Sequence, residues 1–160
     1  MTDSPTEKEG TFLVTSVDPD SAVLSAVDDG QVHPLGSNPG LSEDEVIDGV
    51  LVADPPLEVT WSIVEIDDRR QLEIHTPDEP PGERTVELVA DKAVGELVTR
   101  PLEESAAGEL HALAVAPDQT ESAVADVVAD DATRIRAARL EATRVEVRGA
   151  DGVIGVRYLR

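Results

Sequence analysis

The sequence predicts an α+β fold: a small all-β, barrel-like unit, OB-like or SH3-like, followed by an α+β unit with antiparallel hairpins and two short helices. Three observations predict it. From Gly10 to His75, short β-rich runs alternate with turn signals, the pattern of a small β unit. Thr76 to Glu83 reads TPDEPPGE, with three prolines, one glycine, three acids and no apolar period, which is linker composition. After it, helix-period and strand-period segments mix. The expected division is a disordered acidic tail over 1–9, a β unit over 10–75, a linker over 76–84 and an α+β unit over 85–160.

Five or six strands are expected in the first unit. The runs are Thr11 to Val17, Ala22 to Val27, Gln31 to Leu35, Val46 to Ala53, Val59 to Ile66 and Arg70 to His75. Asp18-Pro19-Asp20, Asp29-Gly30, Ser37-Asn38-Pro39-Gly40, Asp54-Pro55-Pro56 and Asp67-Asp68 separate them. Each break has a cause: glycine supplies positive φ, proline removes a ladder donor, and aspartate bonds its own backbone. In the fifth run Val59, Trp61 and Ile63 share one face while Thr60, Ser62, Val64 and Ile66 share the other, so this strand is expected to be covered on both.

In the second unit a short helix is expected over Thr85 to Ala90, then a hairpin of Gly95 to Pro101 with Glu109 to Ala116. After Pro117, Asp118 is expected to cap a helix with Glu121 as its capping-box partner, and Val124, Val127 and Val128 form the buried stripe. A continuous helix would carry Asp131 onto that stripe. The helix therefore breaks at Asp130-Asp131 and restarts with Ile135 and Ala138 facing inward. If Asp151-Gly152 forms a two-residue turn, Val147 pairs with Val156, Val145 with Tyr158 and Glu146 with Arg157.

Composition narrows the function. Phe12, Trp61 and Tyr158 are the only aromatics, so the core is aliphatic. Cysteine is absent, which excludes disulfides, thiolate metal sites and a cysteine nucleophile. Met1 to Gly10 is polar and acidic, unlike a signal peptide, and no later segment has the apolar length of a membrane span, so a soluble cytoplasmic protein is expected.

Thirty-four acids against thirteen bases give a net charge of -21. On the ~7,700 Å² surface expected for this mass, neighbouring excess charges sit roughly 19 Å apart. That lies inside the ~30 Å Debye length of dilute buffer and far outside the ~3 Å of molar salt. A high-salt cytosol is the expected medium. The charge is also uneven: the last 27 residues hold seven arginines and three acids, a balance of +4, against -25 over the preceding 133.

Arg144, Arg148 and Arg157 fall on the hairpin face opposite the valines, and the neighbouring helix adds Arg136 and Arg139. Two roles are open to these five: gripping an anionic partner, protein or RNA, through bidentate guanidinium forks, or pairing with the acids of the first half. RNA is the weaker partner, because three scattered aromatics build few stacking platforms. The strand, two-helix and hairpin order resembles part of a type I KH domain, but Ala129-Asp130-Asp131-Ala132 stands where that family has a GXXG loop, and its aspartates would repel phosphate.

Catalysis is third in order. His33, His75 and His111 lack diagnostic spacing, although Glu109 and His111 share a strand face and form the weak acid-base pair of the chain. No HExxH, GxSxG, Walker or GxGxxG motif occurs, and the acid runs Asp28-Asp29 and Glu43-Asp44-Glu45 lack calcium-loop spacing, so no cofactor or metal is expected.

The runs GTFLVT (Gly10 to Thr15), DDGQVH (Asp28 to His33), SNPG (Ser37 to Gly40), EVTW (Glu58 to Trp61), AVADVVAD (Ala123 to Asp130) and RVEVRGADGVIGVRYL (Arg144 to Leu159) resemble a family of haloarchaeal proteins of unknown function. The resemblance runs from about Gly10 to the end. It implies a haloarchaeal cytoplasmic origin and brings no activity, cofactor or site residue. The function expected from the residues is a non-enzymatic binding or adaptor protein using its C-terminal arginines.

Overall fold

The computed structural model describes residues 6–102 and 108–160. Among them are ten strands in two sheets and three short helices, a mostly-β α+β fold. Two units form, one of residues up to Leu72 together with Arg134–Arg139, the other of Glu73–Thr133 and Leu140–Arg160.

In the first unit β1 (Glu7–Asp18), β2 (Ser21–Ala26), β3 (Val32–Leu35), β4 (Glu45–Ala53) and β5 (Trp61–Gln71) follow one another around a ring in the order β1-β2-β3-β5-β4. The long β1 makes the ring possible. Its first half pairs with β4 and its second half with β2, and Phe12 and Leu13 pair with both. Closure is thin: β3 and β5 meet in parallel at the single pair Leu35 and Trp61, where the Gly36 N–H donates to the Trp61 carbonyl at 3.2 Å. A partly open ring with one parallel pair is closer to an OB-like Greek key than to a fully closed barrel. Phe12, Val14, Leu24, Leu35, Ile47 and Leu51 fill it, with Trp61 and Ile63 packed against them.

Three expectations are corrected in this unit. Of the tail expected over 1–9, residues 1–5 lie outside the described residues, and Glu7, Lys8 and Glu9 belong to β1, paired with Val52, Leu51 and Val50. The break expected at Asp67-Asp68 is absent: β5 runs through it, because the ladder shifts register between Asp48 and Gly49 and again between Val50 and Leu51, absorbing Asp67 and Val64 as bulges. Gly49 permits the first bulge, since a Cβ there would overlap the Glu65 carbonyl oxygen. Nor is β5 covered on both faces: Val64 and Ile66 are exposed, and Val59 lies outside the strand.

The last of the expected runs also divides. Arg70 and Gln71 finish β5, Leu72 turns with its N–H on the Asp44 carbonyl, and β6 (Glu73–His75) pairs in parallel with β9 (Arg144–Ala150) of the second sheet. The unit boundary thus falls at Leu72, and residues 76–84 lie inside the second unit.

That unit is a five-stranded sheet, β6-β9-β10-β8-β7, with β7 (Leu97–Pro101), β8 (Gly108–Ala114) and β10 (Val153–Leu159). The hairpin β9-β10 has the predicted register, with Val147 opposite Val156, Val145 opposite Tyr158 and Glu146 opposite Arg157. Its turn needs two left-handed residues and has them: Asp151 at φ +49 and Gly152 at φ +83.

Helix α1 (Glu83–Val89) covers one face, where Val89, Val98, Ala112 and Ala114 form a small core. Helix α2 (Thr120–Ala129) packs on β9 and β10 over the other, with Gly149 leaving room for Val124. The Asp118–Glu121 capping box is not formed. A 3-10 turn over Pro117–Gln119 precedes α2, whose Thr120 hydroxyl donates to the Pro117 carbonyl and accepts the Gly152 N–H, tying the helix start to the hairpin turn. Helix α3 (Asp131–Arg139) starts where the sequence breaks the pattern: Asp130 is extended, and its carboxylate accepts the Ala132 N–H at 2.9 Å as a cap.

Candidate functional site

The turn at Asp151-Gly152 sets the register that places Glu146 opposite Arg157, and strand alternation puts Arg144 and Arg148 on the same face, two residues to either side. Glu146 is only 8% exposed. A carboxylate out of water needs partners, and it has three: Arg144 Nη2 at 3.2 Å, Arg157 Nη1 at 3.3 Å and Arg148 Nη2 at 3.7 Å. In parallel register, β6 sets Glu73 beside Arg144 and His75 beside Glu146.

Helix α1 lies over this same face. It approaches β10 closely because Gly155 has no side chain, and a Cβ there would stand 3.0 Å from the Thr85 methyl. Around the first turn of α1 a cavity of about 290 Å³ opens, lined by Gly82, Arg84, Thr85, Leu102, Leu110, Arg148 and Arg157. Arg148 is held loosely, with Nη1 3.5 Å from Glu79 and Nη2 3.7 Å from Glu146, against the roughly 2.7–2.9 Å of a close charge-assisted hydrogen bond. Its Nε is buried and makes no hydrogen bond. A group that presents acceptor oxygens to this cavity meets guanidinium donors above an apolar floor.

Of the five arginines expected to share a face, the structure brings Arg144, Arg148 and Arg157 together. Arg136 and Arg139 lie on α3, in the segment that clusters with the first unit. There Arg139 Nε donates to the Val27 carbonyl at 2.9 Å, and Arg134 Nε to Asp44 at 2.7 Å. Arg84 was missed by sequence reasoning. It stands far from the C-terminal cluster in the chain and joins it only because α1 crosses that face.

Glu109 and His111 do meet, Nε2 to Oε1 at 3.2 Å, on the opposite face of the sheet. His111 is 6% exposed, with its ring at 5.0 Å from the Tyr158 ring. Glu109 lines a shallow cavity with Thr99, Arg100, Pro101, Gly108, Leu140 and Arg160, but His111 is not in its wall. The pair is thus a buried base beside a partly exposed acid, without shared access to a substrate there.

The acid runs of the first unit hold cations of the chain itself. Asp28 and Asp29 hold Lys8, which raises the lysine pKa chiefly through Asp29, and Glu45 grips Arg69 with both oxygens. The Asp29 carboxyl is held below the usual range first by the Gln31 N–H and then by Lys8. Among the described residues no group of three or more His, Asp and Glu is placed to hold a metal ion.

His33 is a second feature that the sequence did not single out from the other histidines. It is 2% exposed, its two ring nitrogens make no hydrogen bond, and it packs edge-on between Phe12 and Trp61, with centroids at 5.8 and 4.7 Å. Burial pushes its pKa down.

Fold and site together define a mostly-β α+β protein whose second sheet carries a clustered arginine face. The chain belongs to a family of unknown function (DUF5812), whose model matches residues 8–149. No curated protein and no solved structure matches it. No helix among the described residues is long and apolar enough to cross a membrane.

Proposed function

We propose that the chain is a non-enzymatic binding protein that takes an anionic group at the arginine face of its second unit, in a high-salt cytosol. The observation that carries the reading is Arg148: it lines a cavity with Arg84 and Arg157, and its outer nitrogens are held at long distance, 3.5 Å by Glu79 and 3.7 Å by Glu146. Guanidinium is suited to the task in strong salt, because a bidentate contact at short range is screened less than a diffuse field.

The RNA alternative has less behind it. Phe12 and Tyr158 are buried and Trp61 packs on the first core, which leaves phosphate contacts without exposed stacking rings. The enzyme reading has the enclosed His111 against it.

The test is titration of the full chain with inorganic phosphate, read at the arginine Nε–Hε signals by NMR. A saturable shift at Arg148 and Arg157, with the Arg157 shift lost in Arg148→Met, is the expected result. An Arg148 signal that stays in place while phosphate accumulates would rule the site out.

A further inference from the structure

We infer that the cavity beside α1 takes a small amphiphilic oxyanion, an acidic head on a short aliphatic body, in preference to a bare inorganic anion or a macromolecular chain. This rests on the anion-binding reading above. The head is assigned to the guanidinium side. Glu146 holds Arg157 Nη1 at 3.3 Å from within the sheet, so one of the three lining guanidinium groups is positioned before a ligand arrives, which reduces the ordering cost of binding, while the loosely held Arg148 is left to turn toward the ligand. Their planar forks match the two-oxygen edge shared by carboxylate and phosphate groups.

The body is assigned to Leu102 and Leu110. Leu110 stands in β8 opposite Arg157 in β10, and Leu102 follows β7, so the apolar wall lies directly beside the charged one. An inorganic anion would reach the arginines and leave Leu102 wet, whereas a chain of a few carbons would cover it; Leu110, 4% exposed, backs the wall from beneath. Size agrees with this. About 290 Å³ is at the lower edge of the roughly 300–1,000 Å³ of ligand pockets. The described lining has no aromatic ring on which a base could stack. A short aliphatic acid or its phosphate-ester counterpart has the right shape, and a nucleotide does not.

The experiment is calorimetric titration of the full chain with five probes: acetate, inorganic phosphate, 4-methylpentanoate, isopentyl phosphate and neutral isopentanol. The aliphatic acid should bind on the order of tenfold tighter than acetate, and the ester on the order of tenfold tighter than phosphate, since burying about two methylenes is worth that ratio. Isopentanol should not compete. Leu102→Ala, at a partly buried position of the lining, should reduce the ratio to a few-fold, and an unchanged ratio would overturn the assignment of the body to this wall. Whichever amphiphile binds tighter identifies the head as carboxylate or phosphate. Equal affinity for acetate and 4-methylpentanoate, and for phosphate and its ester, would overturn the inference and leave a plain anion site standing. Failure of all four anions would remove the binding reading itself.

Discussion

Glu146 and Arg157 face each other across the closing hairpin, the carboxylate buried and 3.3 Å from the guanidinium, and this pair organises the arginine face. Arg144 and Arg148 converge on the same carboxylate from the neighbouring positions of β9. Glu146→Gln keeps the shape and removes the charge. The arginines are partly exposed, so water recovers some of the loss, and the cost should be about 2 kcal/mol, below the ~3–5 kcal/mol of a fully buried broken pair. Chemical denaturation at fixed salt measures it. A change within a few tenths of a kcal/mol would show that the carboxylate holds nothing together.

His33 makes the first unit sensitive to acid. Burial lowers its pKa in the folded chain from the usual 6.5, with Lys8 adding to the effect and Asp29 and Asp28 opposing it. The unfolded chain then binds the proton more readily. Stability is fully present above about pH 6.5 and is lost as pH falls below that value toward the lower folded pKa. His33→Leu should flatten this loss. Urea midpoints at about pH 7 and about pH 5, at constant KCl, compare the two proteins. Parallel losses in both would assign the acid sensitivity elsewhere.

Asp54 acts at still lower pH. Hydrogen bonds from Ser62 and Thr60 hold its carboxyl below the usual value of 3.8, so its contribution is present above 3.8 and disappears as pH falls through the folded pKa. Asp54→Asn should lower the midpoint at neutral pH and remove the step below about pH 4, where the two proteins converge. An unchanged midpoint at pH 7 would mean that the ionised carboxylate contributes nothing there.

Gly49 is the residue on which the first β4-β5 bulge depends. Gly49→Ala would drive a methyl into the Glu65 carbonyl, a backbone atom with no side-chain freedom to escape. The cost should be at least about 2–3 kcal/mol, as for overpacking in a closed core. Thermal unfolding gives the answer, and a variant as stable as the parent would show that the bulge relaxes freely.

A net charge of -21 should make stability rise with salt. Repulsion between excess charges spaced roughly 19 Å apart operates in dilute buffer and is screened in molar KCl. The melting temperature should climb across that range. A flat profile would mean that local pairs such as Arg69 with Glu45 and Lys8 with Asp28 and Asp29 already absorb the excess.

Local signals were legible where one cause acts over a few residues. The Asp151-Gly152 turn and the alternation of Val145, Val147, Val156 and Tyr158 specify the hairpin register, and with it the meeting of Glu146 and Arg157. Asp131 on an apolar stripe predicts the break between α2 and α3, and Asp130 caps the restart. The Asp118 cap is absent because Asp118 lies inside the 3-10 turn Pro117–Gln119, and the helix start is tied instead by the Thr120 hydroxyl, which accepts the Gly152 N–H of a turn 32 residues away.

By itself, then, the sequence determined the α+β class, the hairpin register and a charge asymmetry concentrated in the last 27 residues. Only the tertiary structure decided that β6 joins the second sheet, that β5 absorbs Asp67 in a bulge, that Arg139 serves the Val27 carbonyl 112 residues away, and that Arg84 meets Arg148 and Arg157 around one cavity. The physical reason is range. Turn chemistry and side-chain period act between neighbours in the chain, whereas a cavity exists only once a helix has crossed a sheet face and brought distant side chains to its walls.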